Sequence, residues 1–298
     1  MDTYFNRYTQ KTELESVYGG RWLKLAYETF PGRLTLHAIV KRLWFSRFYG
    51  WRMNQSGSKR KIAPFIEDFD LDESEFKRPK EAFKTFNEFF YRKLRDGARP
   101  INGDPSSVVF PADGRHLGFA DISKTDGFFV KGQKLDLTKL LLKPELIERF
   151  KRGTLIISRL CPVDYHRFHF PCHGYADAPM PQAGPLFSVN PIALRRNINY
   201  LAENKRHIIP LHSPSLGLVL IIPVGATCVG SMHYTHEFGE HSKAVKGEEL
   251  GYFSFGGSTI LTLFQPDKVE LASDLAEHSR NHQELYAHMG DIMAKSKR

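Results

Sequence analysis

The sequence has few cysteines and no hydrophobic run long enough to span a bilayer. Its 298 residues include three cysteines, Cys161, Cys172 and Cys228, and none of them belongs to a CxxC pair. This excludes a disulfide framework and a thiolate zinc ribbon, and it predicts buried thiols in a reducing compartment. The most apolar stretch, residues 216–230, is too short for a membrane span and is interrupted by Gly217, Pro223 and Gly225. No N-terminal stretch has the pattern of a secretory signal.

Positive charge is concentrated near the N-terminus. The net charge is +9, and residues 1–60 hold eleven Lys and Arg against four acidic residues, a surplus of seven. Such a segment can face nucleic acid, an anionic membrane or solvent. Signatures of RRM, zinc-finger and helix-turn-helix modules are missing, which disfavours nucleic acid as a partner.

Residues 12–54 are predicted to be helical. Apolar side chains recur at helical spacing at positions 36, 39, 40 and 43, and aromatic residues follow at positions 44, 45, 48, 49 and 51. Lysine and arginine are interleaved with these rings, a combination typical of helices at a membrane interface. The alternative is a helix that packs on its own domain with its basic residues outward.

From Val108 onward the pattern changes to short β-rich runs. They cover residues 128–131, 154–159, 216–222, 226–232 and 259–264, and Gly/Pro turns separate them. A helical insertion is predicted over residues 137–151 and a partly helical, amphipathic tail over residues 271–298. The sequence therefore predicts an α+β protein with a basic helical region over residues 1–100 and a β-rich catalytic domain over residues 101–298.

Two histidine clusters raise the question of a metal site. They consist of His166, His169 and His173, and of His233, His236 and His241. Prolines flank the first cluster and restrict a helix there, and no Glu stands between histidines as in a zinc-protease helix. A metal-dependent hydrolase is kept as an alternative, beside a non-enzymatic membrane-binding protein.

A serine at position 258 follows two glycines and precedes an apolar run. Taken alone, the Phe-Gly-Gly-Ser-Thr segment at residues 255–259 is explained by a tight turn. The serine is also a candidate nucleophile if a histidine and a carboxylate lie nearby, although the G-x-S-x-G elbow is absent. Asp113, in a Pro-Ala-Asp-Gly turn, is a carboxylate that could orient a histidine.

Seven motifs in a fixed order carry a resemblance to one family. They are residues 85–100 (TFNEFFYRKLRDGARP), 111–114 (PADG), 164–169 (DYHRFH), 186–191 (LFSVNP), 225–231 (GATCVGS), 246–253 (KGEELGYF) and 255–259 (FGGST). Over about residues 5 to 265 the chain closely resembles the phosphatidylserine decarboxylases, which use a pyruvoyl group to make phosphatidylethanolamine. The Gly-Gly-Ser form at residues 256–258 is a recognised variant of the family's Leu-Gly-Ser.

The resemblance implies that the cofactor is made from the chain itself. Ser258 attacks the carbonyl of Gly257, the chain breaks there, and the new N-terminus becomes a pyruvoyl group. The products are a β chain of residues 1–257 and an α chain of residues 258–298. By the same resemblance, His169 is the base for this step, Asp113 orients His169, and His166 serves the decarboxylation as a proton donor.

The resemblance also implies partners and a location. Tyr165, Phe187 and Asn190 are candidate contacts of the substrate headgroup, and no metal is expected. The expected partners are phosphatidylserine in an anionic membrane and the two cleaved chains as a heterodimer, with a homo-oligomer as a further expectation and no nucleic acid. With neither a presequence nor a membrane span in the sequence, we expect peripheral attachment to the cytoplasmic side of a bacterial cell membrane.

Overall fold

The structure, a computed structural model, describes residues 3–15, 25–27, 29–35, 43–227, 231–240, 242–256 and 258–297. Helices and strands are mixed, and strands dominate the chain after residue 106. The first strands are β1 (Thr3–Asn6), β2 (Lys11–Leu14), β3 (Ser107–Val109), β4 (Gly114–Phe119), β5 (Thr154–Leu160), β6 (Arg167–His169), β7 (Gly174–Ala176) and β8 (Met180–Gln182). They are followed by β9 (Arg206–Ser213), β10 (Gly217–Val224), β11 (Met232–Tyr234), β12 (Ser242–Ala244), β13 (Glu249–Phe253), β14 (Ser258–Phe264), β15 (Val269–Leu271), β16 (Glu284–Ala287) and β17 (Ile292–Ser296).

The α-helices of the described residues are short. They are α1 (Phe30–Thr35), α2 (Leu43–Met53), α3 (Ile62–Asp68), α4 (Phe86–Phe90), α5 (Leu137–Leu141), α6 (Pro144–Phe150), α7 (Pro191–Leu194), α8 (Tyr200–Glu203) and α9 (Ser273–Arg280). Between α5 and α6, Leu142 adopts a left-handed conformation with φ 61°, which ends the first helix. The helical insertion predicted over residues 137–151 is therefore two helices.

An 11-stranded sheet forms the body of the molecule. Its strand order is β12-β7-β9-β10-β14-β5-β4-β16-β1-β2, with β8 paired to β9 beside this path. Neighbours are antiparallel except β1 and β16, which are parallel. Two three-stranded sheets, β11-β13-β6 and β15-β17-β3, complete the β structure of the described residues.

The central strands are buried on both faces, and this explains their nearly continuous apolar sequences. Alternate side chains of a strand point to opposite faces. Ile156 and Ile260 accordingly belong to one buried cluster, while Ile157 and Leu261 belong to another on the opposite face. Ser258 has the same parity as Ile260, so its side chain points toward the first of these two clusters.

The helices before residue 100 pack through a cluster of phenylalanines. Its buried members include Phe65, Phe76, Phe83, Phe86, Phe89, Phe90 and Phe255. Thr85 caps α4 by accepting a hydrogen bond from the amide of Glu88, at 3.1 Å. Because Phe255 stands three residues before Ser258, this cluster packs the N-terminal helices against the segment that precedes Ser258.

Several sequence-based expectations need correction. The helix predicted from residue 12 is wrong at its beginning, because Lys11–Leu14 form β2 and pair with β1 in the large sheet. Residues 128–131 form no strand and are closed by an isolated bridge between Gly127 and Lys131. The tail contains the helix α9, which confirms that it is helical in part, and it also contains the strands β16 and β17. Residues 36–42, 228–230 and 241 lie outside the described residues.

The strands predicted over residues 154–159, 216–222 and 259–264 are confirmed as β5, β10 and β14. Cys161 and Cys172 are buried and free, as expected, while Cys228 is outside the described residues. None of the helices in the described part of the chain has the length and hydropathy that a bilayer crossing requires.

A buried arginine ties three distant segments together. Arg159 in β5 is 2% exposed and binds Glu284 of β16 at 2.8 and 2.6 Å and Glu15 at 2.9 Å through two nitrogens. Burial of three charges is tolerable only because each is paired and hydrogen-bonded. Arg159 also faces Thr259 in the ladder between β5 and β14, next to Ser258.

We expect Arg159→Ala to lower the free energy of unfolding by about 3–5 kcal/mol, because it leaves two buried carboxylates without their cation. Urea unfolding followed by circular dichroism measures this, in a Ser258→Ala background so that one intact chain is compared. Lys77→Ala, which removes an exposed ion pair to Asp96, is the control and should change the value by less than about 1 kcal/mol. Equal effects of the two substitutions would contradict this role of Arg159.

Candidate active site

Ser258 opens β14 and is fully buried. Its partner in β5 is Leu160, and the next residue, Thr259, pairs with both Arg159 and Val224. The Ser258 hydroxyl is 0% exposed and has no hydrogen-bond partner among the described residues. A buried hydroxyl without a partner costs on the order of 1–3 kcal/mol. Thr259 and Thr262 of the same strand share this property, so Ser258 is distinguished by its position after the two glycines and beside the histidine strand. Gly257, the predicted scission point, lies outside the described residues.

Strand pairing brings the three predicted motifs together. β6, which ends at His169, pairs with β13, and β13 leads directly into the Ser258 turn. The amide of Phe253 donates to the carbonyl of His166 at 3.0 Å, and the amide of His169 donates to the carbonyl of Pro111 at 2.8 Å. The second bond connects the histidine strand to the turn that carries Asp113.

His166 is buried next to the serine turn. Its Nδ1 lies 2.9 Å from the carbonyl oxygen of Asp164, which only accepts, so the neutral ring carries its proton on Nδ1 and has a free lone pair on Nε2. Nε2 has no partner among the described residues. Burial lowers the pKa of His166 to about 3, with Arg92 acting in the same direction and the main chain of Asp164 and of Gly256 opposing it.

His169 is also buried and neutral at pH 7. Burial lowers its pKa to about 4, against the opposing effects of Glu249 and Asp113. Its ring stacks near Tyr165, with 5.7 Å between ring centroids. Nδ1 of His169 has no hydrogen-bond partner among the described residues. A neutral imidazole with a free nitrogen can accept a proton.

Asp113 is held by groups other than a histidine. Arg99 Nε donates to both carboxylate oxygens, at 2.8 and 3.1 Å, and the amide of Met289 donates to Oδ1 at 2.9 Å. The described contacts include no hydrogen bond between Asp113 and His169. The carboxylate nevertheless raises the pKa of His169, so its charge acts on that ring through space.

A cavity of about 470 Å³ lies beside Asp113. Its wall includes Tyr165, Arg92 and Arg99, and β1 and β2 contribute Tyr4 and Leu14. The cavity therefore lies between the N-terminal strands, β1 and β2, and Asp113. Its volume is sufficient for several water molecules.

Two of the three predicted headgroup contacts have structural roles. Asn190 caps α7 by accepting a hydrogen bond from the amide of Ile192 at 3.0 Å. Phe187 stacks on Tyr200 with 4.2 Å between centroids. Neither of them lines the cavity beside Asp113, whereas Tyr165 does.

The histidine clusters do not converge on a metal-binding arrangement. His173 Nδ1 accepts from the amide of Lys246 at 3.2 Å, His233 Nε2 lies 3.0 Å from the hydroxyl of Ser254, and His236 Nε2 lies 2.8 Å from that of Ser242. Within the described ranges, no three side chains of His, Cys, Asp or Glu form a group that could hold a metal ion, and His241 is outside those ranges.

Comparison with known proteins identifies the family. The model of the phosphatidylserine decarboxylase family matches residues 86–291. The chain belongs to this family. Among its relatives, the phosphatidylserine decarboxylase proenzyme of Fusobacterium nucleatum is 40% identical over 294 residues, which cover 99% of this chain and 97% of the relative. The proenzymes of Clostridium novyi and Chlamydia muridarum are each 41% identical, over 96% and 98% of this chain and 97% and 96% of their own lengths.

Family membership confirms the resemblance and the activity that it implied. The protein is an enzyme of the phosphatidylserine decarboxylase family, and the decarboxylation of phosphatidylserine is its reaction. The metal-dependent hydrolase and the non-enzymatic membrane binder are not favoured. The sequence motifs gave no indication that Arg99 binds Asp113, although Arg99 lies within the motif at residues 85–100.

Three buried histidines, His116, His166 and His169, predict how stability depends on pH. Below pH 6.5 the unfolded chain protonates them while the folded chain does not, so stability falls as the pH drops from 7 to 5. We expect each buried histidine to contribute a loss of about 1–2 kcal/mol over this interval. In the Ser258→Ala background, His166→Gln should reduce the loss of stability between pH 7 and pH 5 by the contribution of one buried histidine, about 1–2 kcal/mol. The surface substitution His212→Gln should leave that loss unchanged. Urea unfolding at both pH values measures this, and equal losses in all variants would refute the assignment.

Proposed function

We propose that this chain is a proenzyme that cleaves itself between Gly257 and Ser258 and decarboxylates phosphatidylserine with the pyruvoyl group so formed. The proposal rests on the buried hydroxyl of Ser258, which has no hydrogen-bond partner among the described residues. The segment before Ser258 is hydrogen-bonded to the segment that carries two buried histidines, and both are neutral at pH 7. The word proenzyme in the names of the relatives supports a processed chain.

Self-cleavage requires a nucleophile and a base. His169 takes the hydroxyl proton of Ser258, the oxygen bonds to the carbonyl carbon of Gly257, and the peptide C–N bond breaks as the amine takes up a proton. Loss of the α-proton of residue 258 then breaks the Cβ–O bond, which releases a chain that ends in the carboxylate of Gly257. Water replaces the nitrogen of the resulting dehydroalanine, ammonia leaves, and the pyruvoyl group remains.

The residues around Ser258 fit a pyruvoyl group. The Ser258 side chain is buried, and the main chain of Gly256, one residue before the predicted scission point, lies close enough to the His166 ring to raise its pKa. When present, the group supplies an electron sink for the electron pair left behind by CO2. Ser258 would hold it covalently, and the rings of Phe90 and Phe255 would exclude water.

His166 moves one proton in this proposal. Its neutral Nε2 accepts the proton that the substrate ammonium must lose before the amine can react. The same nitrogen later returns that proton to the carbon from which CO2 departed. Nδ1 stays bound to the carbonyl of Asp164, which fixes the orientation of the ring throughout. Tyr165, Phe187 and Asn190 remain candidate headgroup contacts.

The two chains are proposed to stay together as a heterodimer. β14 of the α chain is paired to β5 and β10 of the β chain, β16 is paired to β4 and β1, and β17 is paired to β3. Breaking one peptide bond would leave all these ladders in place.

We expect Ser258→Ala to leave the chain intact and without a carbonyl that borohydride can reduce, because no ester can form. His166→Ala should still be cleaved but decarboxylate at least about 100-fold more slowly, the usual contribution of a positioned acid–base group. Mass spectrometry of the chains and CO2 release from phosphatidylserine measure the two steps.

Ser254→Ala, a serine of the same segment whose hydroxyl contacts His233, is the control and should be cleaved normally. Cleavage of Ser258→Ala, or full turnover by His166→Ala, would refute the assigned role of the residue concerned.

For the N-terminal region, residues 1–100, we propose peripheral attachment to an anionic membrane on the cytoplasmic side of a bacterial cell. The support is a set of exposed rings on α2: Trp44 and Trp51 are 58% exposed and Phe48 is 53% exposed. Arg47 and Arg52 lie on the same helix, also exposed. Rings of this kind bury in the interface while the cations face anionic headgroups. Residues 101–298 would then carry the chemistry.

We expect the triple substitution of Trp44, Phe48 and Trp51 by serine to weaken binding to phosphatidylglycerol vesicles by about tenfold or more, because about 1.5–3 kcal/mol is lost per large buried side chain. Vesicle co-sedimentation at two salt concentrations measures this. Tyr175→Ser, an exposed ring on β7, is the control and should bind like the parent chain. Undiminished binding of the triple variant would refute this membrane face.

A further inference from the structure

Arg99 bridges two carboxylates, and one of them is Asp113. Its Nε and Nη2 face Asp113 Oδ2 at 2.8 Å each. On its other edge, Nη1 and Nη2 donate to the two carboxylate oxygens of Glu75 at 2.7 and 2.9 Å. The side chains of Arg99 and Asp113 are 9% and 2% exposed, and that of Glu75 is 32% exposed. The result is a chain of charged groups in the order Glu75, Arg99, Asp113, and all three residues line the cavity.

Neighbouring main chain fixes this chain of charged groups at both ends. The carbonyl of Glu75 accepts from the amide of Arg95 at 2.8 Å, and Arg99 Nη1 also donates to the carbonyl of Ala98 at 2.8 Å. At the inner end, the amide of Met289 holds Asp113 Oδ1. The planar guanidinium suits this place because it can bind two carboxylates at once, which a lysine ammonium cannot do with the same geometry.

The position of Asp113 therefore comes from Arg99 and the Met289 amide, since its described hydrogen bonds include none to His169. Without Arg99, the Asp113 carboxylate would lose the hydrogen bonds from the guanidinium that set its position, and its charge would no longer be held at a fixed place relative to His169. We propose that Arg99, oriented by Glu75, is a positioning residue for self-cleavage that holds Asp113 in place. This rests on the cleavage mechanism proposed above.

The test follows cleavage of newly made chain directly. Full-length chains are labelled briefly during cell-free synthesis, and conversion into two pieces is followed on gels. We expect Arg99→Ala to slow cleavage by about 10- to 100-fold, the usual effect of removing a group that orients a functional side chain. The loss should be larger in cleavage than in turnover per pyruvoyl group.

Two further readouts separate positioning from a general effect on folding. Methylguanidinium should restore much of the cleavage of Arg99→Ala, because Arg99 lines the cavity of about 470 Å³ and its removal leaves space there. Arg99→Ala combined with Asp113→Ala should be no slower than Asp113→Ala alone, since the two residues act as a unit. Arg78→Ala, which removes an exposed pair to Glu88, is the control and should be cleaved normally.

Glu75 keeps the proposal testable if Arg99→Ala does not fold. Glu75→Gln retains an acceptor for Arg99 and should be cleaved faster than Glu75→Ala. The proposal is overturned if Arg99→Ala is cleaved at the parent rate, if its defect is not rescued and adds fully to that of Asp113→Ala, or if the two Glu75 variants match the parent chain. Cleavage of Ser258→Ala would instead refute the proposed function itself, so the two failures are distinguishable.

Discussion

The structure depends on the pairing of β14 with a neighbour on each side. β5 pairs with one edge of this strand from Ser258 to Phe264, and β10 pairs with the other edge from Thr259 to Phe264. A strand held in this way cannot shift register without moving its apolar side chains to the wrong faces. Its first residue, Ser258, therefore has a fixed position in the buried interior, and its side chain has a fixed direction. Any group that is to act on Ser258 must be placed beside it by other elements of the fold.

Those elements come from distant parts of the sequence, and backbone hydrogen bonds join them more than side chains do. β6 lies between the Pro111 turn and β13, so one short strand contacts both the carboxylate segment and the serine segment. Burial then makes both histidines neutral. Burial has the largest effect on both pKa values, and Arg92 near His166 and Arg167 near His169 act in the same direction, so the interior provides proton acceptors at neutral pH.

The sequence predicted the parts of the fold that have a strong local signal. β5, β10 and β14 are predominantly apolar and are predicted from these runs and the turns that flank them, and the motifs propose Asp113, His169 and Ser258 as site residues. β1 and β2 were missed because each has only four residues; β2 is largely polar, and β1 joins the sheet through β16, about 280 residues away. Arg99 was missed for a related reason: nothing local distinguishes it from the basic residues around it, and its importance arises from contacts with Glu75 and Asp113.

The anchoring of Phe255 has a consequence for how substrate reaches the centre. This ring packs against Phe86 and Phe90 at 5.2 and 4.8 Å, and its amide is bound by Asn87 Oδ1 at 2.9 Å. A newly formed carboxyl end two residues later would thus remain tethered. In the proposed processed enzyme, the end of the β chain and the rings that hold it would therefore stay beside residue 258, and they would bound the space into which the substrate headgroup enters.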